Sequence, residues 1–255
     1  MQSLSLAERV IMVTGAGQGI GQSLALNAVM AGARVAAIDV NPVGLDDLAG
    51  RLGDRLLPLT GDISDPDFAA EAIEHTVSRF GAIDGLVNNA GISRAAMISK
   101  MSHAQWRDVL DVNLSGAFYF LQAAGRQMIA QAEAGRRPSG AIVNISSDAG
   151  RRGTIGQVNY SAAKAGLLGL TMSAAREWGK FGIRVNTVTF GVVETPMTEM
   201  IRGEALRDKY LAQIPLGRWA TTDEVASPVL FLLSEGASYM TGQHIAINGG
   251  YHMSA

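Results

Sequence analysis

A serine, a tyrosine and a lysine stand within the stretch Ser147 to Lys164, SDAGRRGTIGQVNYSAAK. Tyr160 and Lys164 are four residues apart, so their side chains share one face if the segment is helical. The residues after Tyr160, SAAKAGLLGLTMSAAREW, are rich in Ala and Leu and contain no proline, which predicts a helix. An ammonium held beside a phenol favours the phenolate and lowers the tyrosine pKa from its ordinary value of about 10. A tyrosine tuned in this way can exchange a proton with an alcohol or carbonyl oxygen near neutral pH. Ser147 would hydrogen-bond the same oxygen. Any helix surface can carry a Tyr and a Lys at this spacing, so the pair gains meaning from the elements around it.

Those elements alternate. Arg9 to Thr14, RVIMVT, is a β-branched run of the kind found in a buried parallel strand. A glycine-rich turn follows at Gly15 to Gly21, GAGQGIG, then a helical pattern, SLALNAVMAGA, and a second strand, Arg34 to Asp39, RVAAID. Backbone N–H groups and a helix N-terminus in such a turn favour a pyrophosphate. Asp39 ends the second strand, where a carboxylate accepts hydrogen bonds from a ribose diol. The spacing is G-x-x-x-G-x-G rather than G-x-G-x-x-G. Further strands are expected at Arg55–Thr60, Ile83–Val87, Ala141–Ile145, Arg184–Thr189 and His244–Ile247. Helices are expected at 66–80, 106–130 and 224–233, with GRRPSG at 135–140 a loop.

This order predicts a doubly wound, seven-stranded parallel sheet with helices on both faces, in a single domain over residues 1–255. Thr14, Asp39, Asp62, Asn88 and Ser147 all fall at the carboxyl ends of strands, where ligands bind in such sheets. The chain is 47% hydrophobic and 17% charged, enough for a substantial core. A net charge of −2 with no long basic run argues against a nucleic-acid binder driven by charge. With no cysteine, disulfides and thiol catalysis are excluded. The start, MQSLSLAERVIMVTG, does not read as a signal peptide, and no apolar run approaches membrane length. A cytoplasmic protein is expected.

Taken together, TGAGQGIG at 14–21, NNAG at 88–91, Asn113 in DVNLSG, Ser147, YSAAK at 160–164 and NGG at 248–250 resemble the short-chain dehydrogenase/reductase family in order and spacing. Within it the chain looks most like the β-ketoacyl-ACP reductase branch. The resemblance implies a Rossmann fold, a nicotinamide cofactor and alcohol–ketone interconversion. It assigns Gly15, Gln18, Gly19, Ile20 and Gly21 to the pyrophosphate turn, and Asp62 and Ile63 to the adenine. Asn88, Asn89, Ala90 and Gly91 would line the cofactor channel, with Gly191, Val193 and Thr195 at the nicotinamide end. Asn113 would carry a water that relays protons to Lys164, Ser147 would orient the substrate oxygen, Tyr160 would be the acid/base, and Lys164 would also bind the ribose. Gln157, Phe190 and Val192 would face the substrate beside Ser147 and Tyr160. No metal is implied.

The family usually has Pro-Gly after the sixth strand; here Phe190 precedes Gly191. Proline fixes φ near −65°, and phenylalanine instead brings a large ring to the presumed substrate side. Residues 197–215 form a lid-like insertion in which Met197, Met200, Ile201 and Leu211 offer an apolar wall. Arg94, Arg151 and Arg152 fall in loops near the mouth, as attractors of an anion or as solvated charges. For cofactor choice, Asp39 is followed by Val40 and Asn41, and Gln18 is not basic, which favours NAD over NADP. The leading reading is therefore an NAD(H)-dependent oxidoreductase of a small-molecule secondary alcohol or ketone. The first alternative is a 3-oxoacyl-[acyl-carrier-protein] reductase, docking an acidic carrier through Arg126, Arg136 and Arg137. The second is a non-catalytic redox sensor or scaffold. The helices at 106–130 and 160–179 carry small and apolar residues on more than one face, including Ala163, Gly166, Leu167, Gly169 and Leu170, so each needs more than one packing partner. By resemblance this predicts pairing across a two-fold axis and a homotetramer.

Overall fold

The computed structural model describes residues 5–135 and 140–253. Its seven strands are β1 (Val10–Thr14), β2 (Arg34–Asp39), β3 (Leu56–Thr60), β4 (Gly85–Asn88), β5 (Ala141–Ser147), β6 (Arg184–Phe190) and β7 (His244–Ile247). All neighbouring pairs are parallel, in the order β3-β2-β1-β4-β5-β6-β7. The chain builds outward from β1 in one direction and returns to place β4 on its other side. The switch point thus lies between β1 and β4, and a crevice opens there at the carboxyl ends of both strands.

Ten helices fill the connections among the described residues: α1 (Gly19–Met30), α2 (Pro42–Leu52), α3 (Pro66–Phe80), α4 (His103–Leu110), α5 (Ala117–Glu133), α6 (Ala149–Arg152), α7 (Val158–Trp178), α8 (Glu199–Arg202), α9 (Glu204–Leu211) and α10 (Thr222–Leu233). Alternate residues of a strand face opposite sides, and the two cores follow. Ile11, Val13, Val35 and Val143 face Leu24 of α1, Leu45 of α2 and Val229 of α10. Met12, Ala36 and Ile142 face Ile73 of α3, Phe120 of α5 and Ala174 of α7. Burial on both sides is why β1 and β2 read as short apolar runs.

One expected element is broken. Residues 106–130 do not form a single helix: α4 and α5 are joined by a π-helical turn, Asp111–Gly116. The Asn113 side chain accepts from the Ile92 amide at 2.8 Å and donates to the Ile92 carbonyl at 2.9 Å. The wider turn aims Asn113 inward at the segment after β4, a use of π turns frequent at functional sites.

Strand boundaries also differ, and β4 runs Gly85–Asn88 rather than 83–87. β5 runs on to Ser147, and β6 runs on to Phe190, paired in register with Ser147 on one side and Ile247 on the other. Phe190 is a sheet residue, 4% exposed, rather than a loop residue. Proline lacks the N–H that a central strand position uses; phenylalanine can remain in the ladder. The expected loop at 135–140 falls mostly outside the described residues, as do Arg136 and Arg137.

Candidate active site

A cavity of about 470 Å³ occupies the switch-point crevice. The glycine turn forms its floor at one end. Gly21 packs so closely that a Cβ there would lie 1.9 Å from the Gly15 carbonyl oxygen, so this position tolerates no side chain. Asn89 donates to the Thr14 and Gly15 carbonyls at 3.0 and 3.2 Å and ties the turn to the end of β4. Gln18, at the N-cap of α1, makes no side-chain bond to the first-turn amides, and that turn holds no acidic residue. The helix start is left to an external anion, the fit expected for a pyrophosphate.

Asp39 stands beside this turn. Its Oδ2 accepts from the Gly17 amide at 2.8 Å and its Oδ1 from the Asn41 amide at 2.9 Å. Gly17 was not singled out in the sequence, yet a Cβ there would lie 2.9 Å from the Asp39 carboxylate. Its signal was present as an extra glycine inside the turn. Asp62 and Ile63 also line the cavity, and Asp62 Oδ1 accepts from the Ser64 amide and hydroxyl at 2.9 and 2.8 Å.

At the opposite end lie Ser147, Tyr160 and Lys164. Lys164 is 3% exposed; its Nζ donates to the Ile145 carbonyl at 2.8 Å and stands 5.7 Å from the centre of the Tyr160 ring. Burial lowers the Lys164 ammonium to about 8. Burial also pushes the Tyr160 phenol above its ordinary value, and a hydrogen bond with Ser147 draws it back only in part. This is opposite to the direction expected from the Tyr-Lys spacing: desolvation outweighs the hydrogen bond from Ser147. The Ser146 hydroxyl donates to the Lys164 carbonyl at 2.8 Å and pins α7 to β5.

The cavity brings together most of the residues expected there. Gly15, Gln18, Gly19, Ile20, Gly21, Asn89, Ala90, Gly91, Phe190, Gly191, Val193 and Thr195 all line it. Four do not. Asn88 is 3% exposed and lies beneath the site, donating to the Ala117 carbonyl at 3.0 Å and to Asn144 Oδ1 at 2.9 Å. It is the last residue of β4, paired with Asn144 in register, and points into the fold. The Asn113 side chain is 1% exposed and committed to Ile92. Its contact with the site is indirect: a Cβ on Gly91 would stand 3.4 Å from both Asn113 Oδ1 and Lys164 Nζ. The Gln157 side chain donates to the Ser93 hydroxyl at 3.4 Å, and Val192 is buried off the wall.

The lid-like segment is anchored at its far end. Tyr210 of α9 stacks on Tyr251 with ring centres 6.3 Å apart, and the Leu216 amide donates to the Gly249 carbonyl at 3.2 Å. At its near end Met197 lines the cavity and Met200 is 83% exposed. Arg94 lines the cavity, while Arg152 lies over the Tyr251 ring at 4.0 Å. Residues missed by sequence reasoning include Ile92, Val112 and Ser146 on the wall. Asn159, fully buried beside Tyr160, was missed as well. Among the described residues no cluster suited to a metal ion occurs, and no helix is long and apolar enough to cross a membrane.

Residues 15–252 match the family model described as enoyl-(acyl carrier protein) reductase. The chain is 42% identical over 250 residues to the 3-oxoacyl-[acyl-carrier-protein] reductase FabG of Thermotoga maritima, covering 97% of this chain and 99% of that one. Among solved structures, a short-chain dehydrogenase/reductase described as glucose/ribitol dehydrogenase, from Brucella melitensis, superposes with a TM-score of 0.91 at 34% identity and 100% coverage of both chains. Levodione reductase superposes with a TM-score of 0.89 at 32% identity, covering 96% of this chain and 97% of that one. The chain belongs to the short-chain dehydrogenase/reductase family, in its β-ketoacyl-ACP reductase branch. It is an oxidoreductase that interconverts an alcohol and a ketone with a nicotinamide cofactor.

Proposed function

We propose that this enzyme interconverts a small secondary alcohol and its ketone, using NAD(H) in preference to NADP(H), with Tyr160 as acid/base. The observation that carries the reading is the Ser147–Tyr160–Lys164 group and the glycine turn with Asp39 on the walls of one cavity. The nicotinamide, when bound, supplies the hydride acceptor or donor. Gly15, Gly19 and Gly21 would hold its pyrophosphate, Asp39 its adenosine ribose, Asp62 and Ile63 its adenine, and Thr195 its carboxamide.

The chain's own groups handle the proton. In reduction the Tyr160 phenol donates to the developing alkoxide oxygen, while Ser147 holds that oxygen by a hydrogen bond. In oxidation the phenolate takes the hydroxyl proton as hydride leaves the carbinol carbon. Lys164 would favour the phenolate electrostatically and bind the nicotinamide ribose. Asn113 would act by positioning, through the segment it fixes after β4.

Phe118 and Met172 support a homotetramer: they stand 38% and 52% exposed on α5 and α7. A cytoplasmic location is proposed with it. The 3-oxoacyl-carrier reading is supported by the relatives' names and by the exposed Arg126. A panel of ketones, diols and 3-oxoacyl thioesters, each with both nicotinamide cofactors, tests the two together. No turnover with any of them would overturn both. Thioesters far ahead of free ketones, with NADP(H), would favour the carrier reading.

A further inference from the structure

Arg94 is a charged residue on the cavity wall that the chemistry above does not use. The other three are Asp39 and Asp62 at the adenosine end and Lys164 at the catalytic end. Arg94 is fixed to the catalytic end by its backbone. Asn159, with no exposed surface, donates to the Arg94 carbonyl at 3.0 Å and to the Gln105 carbonyl at 2.9 Å, and accepts from the Tyr160 amide at 2.8 Å. One buried amide thus locks the Arg94 segment, the start of α4 and the proposed acid/base to each other. Such a fully satisfied buried polar group holds its partners in one arrangement.

The Arg94 side chain is held more lightly. Its Nε stands 3.9 Å from Asp108, with both side chains about half-exposed at 50% and 54%, and its Nη1 donates to the Ser93 carbonyl at 3.2 Å. An exposed pair of this kind contributes little. A carboxylate or phosphate can take Asp108's place and bind the guanidinium with two parallel hydrogen bonds. The wall beside it is apolar, formed by Ile92, Val112 and Met197.

We propose that Arg94 binds an anionic group carried by the substrate, so that the enzyme selects ketones and alcohols bearing a carboxylate or phosphate. The proposal rests on the reading of this cavity as the active site. The anion has two sources: the carboxylate of a short oxo acid, or the phosphate of a carrier arm that presents an acyl thioester.

The test compares matched substrates. One arm uses acetoacetate and its methyl ester; the other uses a 3-oxoacyl thioester of pantetheine with and without its 4′-phosphate. In the arm that holds the true anion, Arg94→Met should lower the charged-to-neutral ratio of kcat/KM at least tenfold, and Arg94→Lys should retain part of it. Asp108→Asn should raise the ratio, because it removes the competing carboxylate. Calorimetric binding of the charged compounds to the cofactor-loaded enzyme gives a readout that does not need turnover. A tenfold weaker affinity in Arg94→Met, with no turnover of any ketone by the wild type, would sustain the anion site and sink the proposed reaction. Ratios and affinities unmoved in both arms would overturn the anion site, whatever the turnover.

Discussion

Replacing Asp39 probes the cofactor preference. Each carboxylate oxygen already accepts one backbone N–H, from Gly17 at 2.8 Å and Asn41 at 2.9 Å. An ionised carboxylate offers about four acceptor positions, so roughly two remain for the hydroxyls of an adenosine ribose. Hydrogen bonds to a charged group contribute about 1.5–3 kcal/mol each. Water recovers part of that in a variant, so about 3 kcal/mol is a reasonable loss for the pair, or roughly a hundredfold. Asp39→Ala should therefore lower kcat/KM for NAD(H) about a hundredfold. NADP(H) should fall much less, because the carboxylate no longer opposes a 2′-phosphate. The freed Gly17 amide loosens the turn for both cofactors and keeps NADP(H) from gaining outright. Adding Val40→Arg should supply that gain: Val40 lines the cavity and is 65% exposed, so a guanidinium there can meet a phosphate. The assay is kcat/KM for each cofactor with one good ketone. A wild type that prefers NADP(H), or a cofactor ratio unmoved by Asp39→Ala, would refute the reasoning.

Tyr160→Phe keeps the ring and removes the transferable proton, so kcat should fall by about 10²–10⁴ while cofactor affinity, followed by fluorescence, stays near wild type; substantial residual kcat would rule out the acid/base role. Lys164→Ala should damage both kcat and cofactor affinity, and normal affinity would remove the ribose contact. Burial holds the Tyr160 phenol protonated at neutral pH and brings Lys164 to about 8, so kcat/KM for alcohol oxidation should rise through the alkaline range and that for ketone reduction should fall; flat profiles in both directions would contradict this assignment. Light scattering should give a tetramer, and a stable monomer at micromolar concentration would exclude it.

The sheet was legible because its central strands, β1 and β2 above all, are buried on both faces and read as short apolar runs. The glycine turn, Asp39 and the Ser147–Tyr160–Lys164 group were legible because each lies within a short stretch of chain, across one or two consecutive elements. Three features were not. The π turn depends on Asn113 clasping Ile92, a contact across 21 residues; within the segment itself, nothing distinguishes it from ordinary helix. Asn88 sits one residue before Asn89 in the same motif, yet strand alternation sends it into the fold, where its register partner is Asn144. Reading the strand as ending at Val87 hid that alternation. Asn159 gave no signal beyond its place next to Tyr160, because its function is to join three segments that are distant in sequence.

The reversed direction at Tyr160 has the same origin. The i and i+4 spacing fixes which side chains are neighbours, but not how much water surrounds them. Here Lys164 lies 5.7 Å from the ring centre, with its Nζ bonded to the Ile145 carbonyl, under a nearly complete protein cover. Removing water penalises the charged form of both groups, phenolate and ammonium alike. An ammonium lowered to about 8 is also a weaker electrostatic partner near that pH, since part of it is neutral. The site therefore rests with the phenol protonated. That resting state is ready to donate a proton to a ketone oxygen, whereas oxidation must first remove one. The hydroxyl of Ser147, bonded to the phenol, is the group that opposes this bias from within the chain.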